Sequence, residues 1–152
     1  MRKDTLEFIK KWEGVSLKPY SDVAGYATIG YGHLIKNSDA AKFKDGITKQ
    51  QAEQLLIKDL EEAVEALERT CRVNITPDQE TACISFIFNL GGSRWKSSTL
   101  LRKLNRGDIY GAANEFPRWK WAGGRIVQGL LNRRLEEKEL FLRNLGDHII
   151  EC

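Results

Sequence analysis

Glu13, Asp22 and Thr28 lie in the single stretch W-E-G-V-S-L-K-P-Y-S-D-V-A-G-Y-A-T-I-G-Y-G-H. That spacing sets two carboxylates and a hydroxyl on a helix end, a turn and a strand that must lie close together. Two carboxyl groups held in different environments divide into an acid and a base. That division is what cleavage of a glycosidic bond requires.

The elements that position them follow from local pattern. A first helix starts at Asp4 or Thr5, both plausible N-caps. At about 100° per residue, Glu13 falls on the apolar stripe of Leu6 and Ile9, away from Lys10 and Lys11. A carboxyl among apolar neighbours at a helix C-terminus is disfavoured as an anion, which suits a proton donor. Gly14 terminates the helix. Asp22 follows a turn containing Pro19 and precedes Gly25, where solvent and turn amides favour an ionised carboxylate. Residues 26–31 alternate as a strand, with Thr28 sharing a face with Tyr26 and Gly30 while Ala27, Ile29 and Tyr31 take the other. Gly30 and Gly32 leave room for a ligand at the backbone. Singly, each residue has an ordinary structural explanation; the combination points to a site.

The combination resembles the phage-type lysozyme (endolysin) family, glycoside hydrolase family 24, whose pattern is Glu, eight residues, Asp, five residues, Thr. The likeness continues through T-I-G-Y-G-H, S-F-I-F-N-L-G (Ser85 to Gly91), R-W-K-W-A-G-G and G-L-L-N-R-R-L-E-E (Gly129 to Glu137), so it covers nearly the whole chain in order. The resemblance implies a muramidase that hydrolyses the β-1,4 bond between N-acetylmuramic acid and N-acetylglucosamine in bacterial peptidoglycan and lyses the host. In it, Glu13 protonates the leaving oxygen, Asp22 activates water and Thr28 holds that water. The implied outcome is inversion, with carboxyls about 6.5–9.5 Å apart. Leu34, Phe88 and Thr99 match positions that bind the saccharide. No cofactor or metal is implied, and a monomer is expected.

Charge and cysteine content are compatible with this. The net charge of +3 is uneven: residues 1–90 hold 12 basic and 14 acidic residues, residues 91–152 hold 12 and 7. A basic second half suits a polyanionic polymer, although an ordinary solvated surface gives the same balance. Cys71, Cys83 and Cys152 match no metal spacing or disulfide framework. Cys83 reads as a core residue and Cys152 as exposed. The charged first eleven residues do not fit a signal peptide, and no apolar run is long enough to span a membrane. The expectation is therefore synthesis in the bacterial cytoplasm and access to the wall after a membrane lesion, with a holin as the partner the resemblance implies.

The pattern predicts an α+β fold, mostly helical with one small sheet, as a single domain over 1–152. An N-terminal lobe covers about 14–47, a connecting helix about 48–69, and a helical lobe about 70–152 with helix 1–13 packed on it; the cleft lies between lobes. Thr48 with Gln51, and Thr76 with Pro77, mark helix starts. The segment A-C-I-S-F-I-F-N-L is apolar nearly all round and reads as the central helix of the second lobe, ended by Gly91 and Gly92. Further helices are expected at about 97–105 and 108–116, with one or two more between about 126 and 145, ended by Gly146. His33 reads as structural, and at least one of Trp119 and Trp121 as core. Arg133 and Arg134 could approach Glu13 or form surface pairs with Glu136 or Glu137.

Three other functions compete. A lytic transglycosylase needs the Glu but no water-activating Asp and Thr. A non-catalytic peptidoglycan-binding module needs no intact triad. A nucleic-acid binder would show a helix-turn-helix, zinc or RNP signature, and none is evident.

Overall fold

The computed structural model describes residues 1–145. The expectations at Gly146 and Cys152 lie outside them. The described chain is mostly helical with small antiparallel sheets, as expected. It separates into two compact units, Met1–Glu62 and Ala63 onward.

In the first unit, α1 (Lys3–Glu13) begins one to two residues before the expected caps, with Arg2 as N-cap and no side-chain cap. Thr5 is 3% exposed and faces the core with Leu6 and Ile9. The unit takes in α1, which the sequence reading groups with the helical lobe. Three strands follow in the order β1 (Ser16–Ser21), β2 (Ala27–Gly30), β3 (His33–Leu34). The β1–β2 register shifts between Ser16 and Tyr20, so Leu17, Lys18 and Pro19 form a bulge. There Ser16 Oγ donates to Lys18 O (2.8 Å), and Ile47 N donates to Leu17 O (2.9 Å). A 3-10 turn (Asn37–Asp39) and a short α2 (Ala40–Phe43) carry Phe43 into the core.

Helix α3 (Lys49–Thr70) starts at the expected capping box: Thr48 N donates to Gln51 Oε1, and Gln51 N to Thr48 Oγ1. Its fully buried Ala52 lies 3.5 Å from where a Cβ on Gly30 would stand, so helix and strand meet at a glycine with φ +68°. Lys10 Nζ pairs with Glu53 (3.2 Å), tying α1 to α3.

In the second unit, α4 (Pro77–Leu90) is capped by Thr76 and Gln79 with Pro77 in its first turn. It is buried nearly all round from Gln79 to Ile87. After Gly91 come α5 (Gly92–Lys96), α6 (Thr99–Asn105), α7 (Ile109–Glu115) and a 3-10 turn (Phe116–Arg118) that contains Pro117. A second sheet, unexpected from sequence, pairs β4 (Trp121–Ala122) with β5 (Arg125–Ile126). Gly123 and Gly124 join the strands with φ +57° and +75°, as a two-residue hairpin turn with both φ positive demands. Helix α8 (Gln128–Leu142) packs on α4.

The aromatic core of this unit centres on Phe86. Trp95, Phe116 and Trp119 meet it edge-on at 5.5–5.8 Å, and the Arg134 guanidinium stands 5.2 Å over its ring. Cys83 is fully buried, as expected, and burial pushes its thiol well up, which keeps it unreactive.

Candidate active site

Glu13 is the last residue of α1 and is half-buried. Gly14, at φ +66°, ends the helix there. The Glu13 Oε1 atom lies 3.4 Å from where a Cβ on Gly32 would stand. The carboxylate therefore rests against the turn that joins β2 to β3. Gly32 itself has φ +83°, a conformation that favours glycine.

Asp22 closes the β1–β2 hairpin. Its Oδ1 accepts from the Ala24 amide (2.9 Å) and the Tyr26 amide (2.8 Å). Its own amide donates to Tyr26 O (2.9 Å), and its carbonyl accepts from Gly25 N (2.9 Å). Four bonds thus fix one residue, as the turn chemistry of Asp predicts. Among the described residues no hydrogen bond reaches Oδ2, which leaves that oxygen for a ligand or water.

Thr28 lies in β2 between these two carboxylates, paired with Tyr20 on one side and Leu34 on the other. It is 2% exposed, and its Oγ1 donates to Tyr26 O (2.9 Å), so the lone pairs of the hydroxyl oxygen remain to accept. Thr28 and Ile29 alternate in facing and both are buried, so β2 is covered on both faces, whereas Tyr26 precedes the strand and is 65% exposed.

The two carboxylates therefore approach β2 from opposite ends: Asp22 binds the amide just before it, and Glu13 touches the turn just after it. Four extended residues cover about 10 Å at ~3.3 Å per step.

Of the expected saccharide positions, only Leu34 belongs to this cluster. It is 56% exposed and pairs with Thr28 across the ladder. Phe88 and Thr99 belong to the second unit, half-buried on α4 and at the start of α6, where Thr99 Oγ1 accepts from Arg102. Beside Phe88, Asn89 has a buried Oδ1 without a partner among the described residues. His33 has the structural role read from sequence: its Nδ1 lies 2.7 Å from Asp59 Oδ2, and its ring meets Phe43 edge-on.

Arg133 and Arg134 are not surface residues. They are 4% and 0% exposed and close on Glu137, which is fully buried. Arg134 Nη2 donates to Glu137 Oε2 (3.0 Å), which also accepts from Ser85 Oγ (2.5 Å), and Arg133 Nη2 donates to Ser85 O. Burial pushes the Glu137 carboxyl up, against the pull of Arg134, Ser85 and Arg133. The surface-pair reading fails because Ser85, 52 positions away, draws the group inward. No cluster of metal-binding side chains and no membrane-length apolar helix occurs among the described residues.

With this geometry in hand, comparison with known proteins is specific. The family described as Phage lysozyme matches residues 10–137, which include Glu13, Asp22 and Thr28. An endolysin of Bacillus phage PZA is 41% identical over 138 residues, covering 90% of this chain and 52% of the relative. The chain thus spans about half the length of that relative. An endolysin of Acyrthosiphon pisum secondary endosymbiont phage 1 is 41% identical over 140 residues, covering 90% of this chain and 93% of the relative. Among solved structures, the muramidase domain of SpmX from Asticaccaulis excentricus is 32% identical with a TM-score of 0.83, covering 93% of this chain and 96% of that one.

Proposed function

Because this chain belongs to the phage lysozyme family, we propose that it is a muramidase that hydrolyses the β-1,4 bond between N-acetylmuramic acid and N-acetylglucosamine in peptidoglycan. The observation that carries the reading is the pair of carboxylates held at the two ends of β2 with a buried threonine between them. Glu13 gives its proton to the glycosidic oxygen as the bond to the anomeric carbon breaks. Water attacks that carbon from the opposite face and passes its proton to Asp22 Oδ2. Thr28, its own proton engaged with Tyr26 O, accepts from the water and orients it. A water between base and sugar inverts the anomeric centre.

Leu34 lines the saccharide path in this proposal, with Phe88 and Thr99 as further contacts. Release of the glycan network lyses the host cell, with a holin giving access to the wall.

Purified peptidoglycan incubated with the wild type, Glu13→Gln and Asp22→Asn, followed by mass spectrometry of the fragments, tests this. Hydrated reducing-end muropeptides from the wild type, reduced at least about 100-fold in either variant, are expected. Anhydro-ended fragments would instead identify a transglycosylase. Binding without fragments would identify a wall-binding module.

A further inference from the structure

The β4–β5 hairpin takes no part in the chemistry above, yet its surface is unusual. Trp119 and Trp121 flank Lys120 and face different surroundings. Trp119 is half-buried and meets Phe86 edge-on at 5.5 Å. Trp121 is 55% exposed. It stands opposite Ile126, itself 52% exposed, on the same face of the two-stranded ladder. Leaving that apolar area in water forgoes the stabilisation its burial would give.

The surroundings of Trp121 are cationic and concave. Pro117, Arg118, Lys120 and Trp121 line a recess of about 290 Å³. From Phe116 to Leu135 the sequence holds five basic residues and no acidic one. Arg133 and Arg134 are buried and pair with Glu137. Arg118 donates to Glu115 but leaves 73% of its side chain exposed. Lys120 and Arg125 have no ion-pair partner among the described residues.

We infer that this recess is an accessory subsite for a carboxylate-bearing glycan, with Trp121 stacked on the apolar face of a pyranose ring and Lys120 and Arg118 pairing with carboxylates around it. A flat exposed ring supplies area without a large ordering cost, and exposed cations at its rim select acidic substituents. Peptidoglycan carries both groups: sugar rings, and carboxylates on the lactyl ethers and stem peptides. Naming that polymer rests on the muramidase reading. The recess itself rests on Trp121 and its cations.

The test is co-sedimentation with insoluble peptidoglycan, using the full chain in a Glu13→Gln background so that the polymer stays intact. Trp121→Ala is expected to weaken retention about tenfold with an unchanged melting temperature, because the removed ring is exposed. Lys120→Gln is expected to weaken retention and to flatten its decline with salt. Three results would overturn the inference: Trp121→Ala retained like its parent, chitin bound as tightly as peptidoglycan, or DNA or anionic vesicles bound as tightly as peptidoglycan. Reducing-end release by the wild type is measured in parallel. If none appears but Trp121→Ala still loses retention, the muramidase reading fails and the subsite stands; the reverse pair of results removes the subsite alone.

Discussion

Replacing Gly32 with Ala separates two effects that the structure puts at one position. The first is backbone strain. Gly32 has φ +83°, and an L-residue there costs roughly 1–2 kcal/mol. For a chain of this size that lowers the melting temperature by about 2–8 °C. The second effect is local: the new Cβ would stand 3.4 Å from Glu13 Oε1, so the methyl group comes into contact with the carboxylate that the proposed mechanism uses as acid and narrows its freedom to move. Gly107, in the connection between α6 and α7, is the control, with φ +79° and nothing within 4 Å of an added Cβ. Both variants pay the same strain, and only one touches Glu13. If the parent has at least ~5 kcal/mol of stability, either variant remains about 99% folded at 25 °C, so differences in kcat/KM do not come from unfolding. Thermal melts followed by circular dichroism, and initial rates of reducing-end release from peptidoglycan, measure the two effects. Equal melting losses are expected, with hydrolysis by Gly32→Ala at least about tenfold slower than by Gly107→Ala, since small displacements of a catalytic group cost that much or more. Equal rates for the two variants would refute the claim that the Gly32 turn positions Glu13.

Two further predictions concern stability. His33→Ala removes the 2.7 Å contact with Asp59 and the edge contact with Phe43, and should cost about 1.5–3 kcal/mol in urea titrations; a loss near zero would mean the pair is fully exchanged for water. Burial raises the Glu137 carboxyl, so its contribution is fully present below the ordinary glutamate range and is lost as pH rises through the folded value. Urea titrations from pH 4 to 8 should therefore show the wild type losing stability relative to Glu137→Gln as pH increases. A gain instead would mean that Arg133 and Arg134 outweigh the burial.

Local signals in the sequence translated well into structure. Thr48 with Gln51, and Thr76 with Gln79, cap α3 and α4 because both partners lie within one turn. Asp22 before Gly25 gives its turn for the same reason. The residues that depend on distant partners were less legible. Nothing near Trp119 or Trp121 says which one Phe86 captures, and nothing near Arg133 announces Ser85. Asp4 and Thr5 both look like caps, yet the core claims Thr5. The β4–β5 hairpin was readable in principle from Gly123-Gly124, but its strands are two residues each, too short for alternation to register. The candidate acid and base were placed by helix period and turn chemistry. Their placement at the two ends of β2 depends on how the strands pair.

The bulge in β1 also bears on how this protein behaves among copies of itself. An outer strand with exposed Leu17 and Tyr20 would ordinarily be a template on which another chain could add a strand. Here three consecutive residues offer it no continuous ladder: Leu17 O is taken by Ile47, Lys18 O is taken by Ser16, and Pro19 has no N–H to give. The same kink that leads the chain from Glu13 to Asp22 thus interrupts this edge as a template for intermolecular β-pairing.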